Sequence, residues 1–110
     1  MKQTQLIKGV LEGCVLAIIA DHEIYGYELI QALRAAGFDS IVGGTLYPLL
    51  VKLEKHGALT SQFKASPAGP QRKYYAITPQ GLQTLATFNL QWFQLKEHVD
   101  HILTRRSHHE

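Results

Sequence analysis

The chain has 110 residues, 45% hydrophobic and 18% charged, an ordinary globular mix that supports one domain with one modest core and excludes a disordered chain, a collagen-like fibre or a two-lobed cofactor enzyme. Its single cysteine, Cys14, leaves no disulfide framework and no Cys-x-x-Cys zinc knuckle. Net charge is only +2, but residues 44–81 hold Lys52, Lys55, Lys64, Arg72 and Lys73 against Glu54 alone while the flanks are acidic or balanced, a distribution that suits a phosphate-facing surface.

The opening Met1–Gln5 stretch is polar. The apolar run Cys14–Ala20 is followed by no small-residue cleavage pattern and is too short to span a bilayer, so a cytoplasmic protein with no membrane partner is expected. From Gln5 to Ala20, Ile7, Leu11, Cys14, Val15 and Ile18 recur at helical spacing. Asp21-His22-Glu23 breaks that helix, and Tyr25-Gly26-Tyr27-Glu28 opens a second one around Leu29, Ile30 and Leu33. Gly37 closes it as a left-handed cap. Gly43-Gly44 is a flexible joint, after which Thr45 is the expected N-cap of a third helix, Leu46 to His56. Pro48 then falls in the first turn, where its missing N–H has no intrahelical partner. Leu46, Leu49, Leu50 and Leu53 form the buried face, Tyr47, Lys52 and Lys55 look outward, and Gly57 ends the helix.

Two mixed runs, Leu59–Ala65 and Arg72–Ile77, flank the turn-forming cluster Ser66-Pro67-Ala68-Gly69-Pro70-Gln71. This predicts a β-hairpin with a loop too long for a two-residue turn. Thr78-Pro79 is a strong helix start. The fourth helix is expected to reach about Thr104, with Leu85, Phe88, Trp92, Leu95, Val99 and Ile102 spaced 3, 4, 3, 4 and 3, as in a heptad seam. So long a helix on so small a domain has no partner in its own chain, and the stripe is read as a homodimer interface.

Three helices followed by a hairpin make a mainly α chain with a small β-hairpin, a winged helix-turn-helix over residues 1–78 carrying a dimerisation helix and tail over residues 79–110. In that arrangement the third helix enters the major groove and the wing follows the backbone. The glycine pair and hydroxyl of Thr45 let the helix start approach a phosphate, while Tyr47 and Lys52 lie on the solvent side. Lys64, Arg72 and Lys73 supply wing cations, of which Arg72 and Lys73 must point to opposite faces of their strand. Tyr25 could bring a hydroxyl to a phosphate, and Gln5 and Lys8 could touch the backbone from the first helix. Paired units favour a palindromic site on double-stranded DNA.

The chain also resembles the PadR-type transcriptional regulators. The resemblance rests on Tyr25-Gly26-Tyr27-Glu28-Leu29, Gly44-Thr45-Leu46-Tyr47-Pro48-Leu49-Leu50, Leu53-Glu54-x-x-Gly57 and Arg72-Lys73-Tyr74-Tyr75-x-Ile77-Thr78-x-x-Gly81. These stand in the family's order and spacing and cover roughly residues 5–82. The resemblance implies a homodimeric winged-helix DNA-binding protein, usually a repressor of neighbouring genes released by a small molecule. With about thirty residues after Thr78, the chain is similar to the shorter branch, which has one C-terminal helix. Pro70 stands where that family often has a basic residue.

Trp92 offers a flat apolar face on which a planar aromatic effector could stack, and Leu11, Cys14, Val15 and Phe88 are the expected companions. The resemblance suggests that in the shorter branch such an aromatic can line a cavity between subunits. The alternatives are a winged-helix protein–protein adaptor, and a metal-responsive regulator using His98, His101, Asp100, His108, His109 and Glu110. Three or four convergent ligands are needed for zinc, so no metal and no cofactor is assigned. No glycine-rich phosphate loop, nucleophile elbow or paired carboxylates mark an enzyme.

Overall fold

In a computed structural model that describes Ile7 and residues 9–107, the element order is α1 (Leu11–Asp21), β1 (Ile24–Tyr25), α2 (Gly26–Ala35), α3 (Gly43–Lys55), β2 (Leu59–Ser66), β3 (Gly69–Ile77) and α4 (Pro79–Ser107). Ile7 is itself helical, but the expected run is interrupted between it and Leu11. Gly9 and Val10 form a turn in which the Val10 N–H donates to the Ile7 carbonyl at 2.9 Å, and a glycine at that place tolerates the bend. Ile7 is nonetheless buried and joins the core.

Tyr25 does not open the second helix. Ile24 and Tyr25 form a two-residue strand antiparallel to β3, opposite Tyr75 and Tyr74 respectively, so the sheet order is β1-β3-β2. Helix α2 starts one residue later, at Gly26. Both α2 and α3 end as the glycines predict. Gly37 has φ +114 and Gly57 has φ +83. In each case the glycine N–H and the next N–H turn back onto the last helical turn, Gly37 to Arg34 and Phe38 to Leu33, then Gly57 to Glu54 and Ala58 to Leu53. This is the Schellman pattern, which only a left-handed residue allows without strain.

Helix α3 begins at Gly43, two residues before the expected N-cap. Val42 is the cap, and its carbonyl accepts from the N–H groups of both Thr45 and Leu46 at 3.0 and 3.1 Å. Thr45 therefore lies inside the first turn, and Pro48 falls in the second, where it leaves the Gly44 carbonyl without its i+4 donor. The hairpin differs as well. Its strands run on to Ser66 and Gly69, leaving Pro67-Ala68 as a two-residue turn, with a register irregularity between Lys64 and Ser66. That bulge lets Pro70 sit in β3 without breaking a regular ladder.

Thr78 caps α4 as its sequence predicts: the Gly81 N–H donates to Thr78 Oγ1 at 2.9 Å. The same hydroxyl faces the carbonyls of Gly57 and Ala58 at 2.6 and 3.1 Å, and the Gln80 side chain donates to the His56 carbonyl. A side chain at Gly81 would come within 2.1 Å of the Ala58 carbonyl, so the base of α4 is pressed against the end of α3. At 1.5 Å per residue α4 is about 43 Å long.

The core joins Leu11, Val15, Leu16 and Ile19 of α1 to Leu29 and Leu33 of α2, Leu46, Leu50 and Leu53 of α3, and Tyr75 of β3. Among the described residues no polar or charged side chain is buried in it. None of the described helices is long and apolar enough to cross a membrane.

Candidate nucleic-acid interface

Strand alternation divides the wing into two faces. Lys64 pairs with Arg72, and Gln62 with Tyr74, so Lys64, Arg72, Tyr74 and the Tyr25 that opposes Tyr74 share one face. There Arg72 lies over the Tyr25 ring at 4.4 Å and Lys64 over the Tyr74 ring at 5.4 Å. Tyr25 packs against Tyr74 and Tyr27, with ring centroids 5.5 and 6.4 Å apart. The other face carries Ser61, Phe63, Lys73 and the buried Tyr75. Lys73 sits 5.5 Å from the Tyr75 ring and 3.6 Å from a Glu54 carboxylate oxygen. Arg72 and Lys73 thus point to opposite faces, as a strand requires.

On α3 the exposed positions are Gly44, Thr45, Tyr47, Pro48, Val51, Lys52 and Lys55. Tyr47 lies across the start of α2, since a side chain at Gly26 would meet its ring at 2.4 Å. A shallow pocket of about 280 Å³ results, lined by Tyr25, Gly26, Tyr27, Tyr47, Arg72, Lys73 and Tyr75. It gathers four of the expected contact residues, Tyr25, Tyr47, Arg72 and Lys73, at the junction of wing and α3. Lys64 stands on the wing, and Thr45 and Lys52 stand on the outward side of α3. Gln5 and Lys8 lie outside the described residues.

Three features of this surface escape a reading of the sequence. Val51, 59% exposed, and Phe63, 64% exposed, are apolar side chains turned outward. The lysines are engaged by carboxylates far away in the chain: Lys64 with Glu23, Lys73 with Glu54, and Lys52 with Glu12 at 3.5 Å. Only the alternation of Lys73 onto the α3 side offered any local hint.

The apolar stripe of α4 is divided. Leu85 and Phe88 are half-buried against the domain, whereas Trp92, Leu95, Val99 and Ile102 are exposed. The Phe88 ring occupies the space a side chain at Gly13 would fill, at 2.2 Å, so α1 and α4 cross there in close contact. Beyond the crossing a mainly apolar groove of about 790 Å³ opens between the two helices, lined by Cys14, Phe38, Phe88, Trp92, Leu95 and Val99 among others. Cys14, Phe88 and Trp92 therefore share one cavity, while Leu11 and Val15 turn into the core. Burial pushes the Cys14 thiol above its ordinary value. Lys96, on the rim, bonds Asp100 at 2.7 Å, and that bond holds its ammonium above the ordinary lysine range. Among the described residues no three His, Cys, Asp or Glu side chains converge on a metal position; His108, His109 and Glu110 lie outside them.

The sequence profile of the transcriptional regulator PadR-like family matches residues 15–87. A Streptococcus transcriptional regulator of known crystal structure is 52% identical, with a TM-score of 0.81 over 91% of this chain and 98% of its own. A PadR-like transcriptional regulator of Bacillus cereus is 44% identical, with a TM-score of 0.82 over 90% and 96% of the two chains. A transcriptional regulator of Mycobacterium tuberculosis is 38% identical over 71 residues, 64% of either chain.

Proposed function

The chain belongs to the PadR-like family of transcriptional regulators, and on that premise we propose that it is a homodimeric repressor of neighbouring genes that binds a palindromic operator and is released by a small aromatic effector. It is a regulator by family and not an enzyme. The observation that carries the reading is the meeting of Tyr25, Tyr47, Arg72 and Lys73 where the exposed side of α3 joins the wing. Helix α3 presents Thr45, Tyr47 and Lys52 to a major groove, with Val51 suited to a thymine methyl group. Arg72, Lys64 and Lys73 meet phosphates on either side of the hairpin. Residues 1–78 hold the duplex and residues 79–110 join the two copies through Leu85, Phe88, Trp92, Leu95, Val99 and Ile102. The groove beside Trp92 takes the effector, stacking it on the indole against Phe88 and Cys14. Differential affinity of that ligand for two subunit arrangements shifts the spacing of the α3 helices.

The experiment is a footprint on the DNA upstream of the chain's own gene, with and without planar aromatic compounds, repeated with Lys73→Ala. Protection lost on adding such a compound supports the effector. Lys73→Ala weakens binding on every duplex tested and flattens the log–log salt slope by about 1. Equal affinity of variant and parent at all salt concentrations removes the wing from the interface.

A further inference from the structure

Of the five cations between residues 44 and 81, three are already occupied by the protein's own carboxylates. Lys64 is paired with Glu23, Lys73 with Glu54 at 3.6 Å, and Lys52 with Glu12 at 3.5 Å. All three lysines lie on the wing or on the outward side of α3, and each carboxylate comes from a different segment: α1, the approach to β1, and α3 itself. Glu54 is also held in place from its other side, because the Ser61 hydroxyl donates to Glu54 Oε2 at 2.6 Å. Arg72 and Lys55 differ: neither has an ion pair among the described residues, and Arg72 stacks on Tyr25.

A carboxylate and a phosphodiester make the same demand of an ammonium group, a short charge-assisted hydrogen bond to an anionic oxygen. Each of these carboxylates therefore competes with an incoming phosphate for its lysine. We propose that Glu23, Glu54 and Glu12 are built-in phosphate surrogates that mask Lys64, Lys73 and Lys52 and hold down affinity for arbitrary duplex. This rests on the DNA-binding reading given above. An incoming duplex is met first by the unpaired Arg72 and Lys55, and the three paired lysines are recruited by exchange, one carboxylate displaced per phosphate gained. Loosely held DNA that cannot seat α3 does not repay that exchange with base contacts, so the mask acts hardest on non-cognate sequence.

The test uses the full chain and a labelled duplex of arbitrary sequence, with affinity read by fluorescence anisotropy across a salt series. Glu23→Gln and Glu54→Gln are compared with Asp39→Asn, which changes net charge equally but removes an exposed carboxylate that is in no ion pair among the described residues. Exposed pairs of this kind are weak, so each glutamine variant folds and is expected to tighten binding by about 1.4- to 5-fold beyond the Asp39→Asn control. The gain must disappear when the partner is absent, in Glu23→Gln/Lys64→Ala and Glu54→Gln/Lys73→Ala. A gain no larger than the control's, or one that survives loss of the lysine, overturns the proposal. If the parent shows no salt-dependent duplex binding and Lys64→Ala and Lys73→Ala change nothing, the DNA-binding reading itself falls and the mask with it. If those two variants weaken binding while the glutamine variants equal the control, only the mask falls.

Discussion

Gly26 has no side chain because the Tyr47 ring fills the space one would need. That one contact ties the outward tyrosine of α3 to the first turn of α2 and explains why Tyr47, although 45% exposed, has a defined place beside Arg72 and Tyr25. Cys14 is constrained in another way. It faces the apolar groove, where the charged thiolate is poorly solvated, so its pKa rises. A raised folded-state value means that the thiol contributes its stability below the ordinary thiol pKa and loses it as pH climbs through the folded value. Since the thiolate is the nucleophile, iodoacetamide is expected to modify Cys14 more slowly than free cysteine at neutral pH, with the rate rising only above the usual thiol range. Alkylation as fast as that of the free amino acid contradicts this placement.

Among the elements, α4 depends on the residue that caps it. Thr78 Oγ1 accepts from the Gly81 N–H and serves the Gly57 and Ala58 carbonyls as well. Thr78→Ala therefore loses an N-cap and the hydroxyl donor to the Gly57 carbonyl, while the Ala58 carbonyl keeps the Thr78 N–H at 3.1 Å, and is expected to lower unfolding stability by about 1–2 kcal/mol in urea titrations, more than Thr→Ala at the exposed Thr87 on the same helix. Such end signals were legible in the sequence because cap chemistry is local: Gly37, Gly57 and Thr78-Pro79 sit where they were expected. Elements defined by remote partners were not. Ile24-Tyr25 is too short to read as a strand, and its pairing with Tyr74 and Tyr75 lies far along the chain. Thr45 has the better capping side chain, yet the flexible Gly43-Gly44 pair continues the helix back to Val42. The loop Ser66–Gln71 shrank to two residues because a bulge accommodates Pro70. The candidate interface divides in the same way. Its cations stood out as a local charge excess, whereas Glu12, Glu23 and Glu54 were ordinary acidic residues until the fold brought them to the lysines.

At the scale of the whole molecule, a radius of gyration of 16.5 Å and extents of 59 × 28 × 20 Å exceed the roughly 13 Å radius of a compact chain of this length. Helix α4 accounts for the excess, with Trp92, Leu95 and Val99 open on its projecting part. On the proposed dimer, Val99→Glu sets a charge in the middle of that stripe and is expected to give the monomer mass in light scattering and to weaken operator binding, because the two α3 helices would then act separately. A Val99→Glu chain that stays dimeric moves the interface elsewhere. The rivet of Thr78, Gln80 and Gly81 onto the end of α3 has a geometric corollary. It fixes the zero mark of α4 relative to α3, so everything beyond it is a matter of rotational phase. In the proposed dimer, one residue inserted between Gly81 and Leu85 would turn the apolar stripe by about 100° and re-aim the second copy's α3, while leaving the head intact. Such a chain should still grip arbitrary duplex yet reject the parent's operator for one of altered half-site separation. On that dimer, a single codon gained or lost at this joint would be a short evolutionary route to a new spacing of recognised sites.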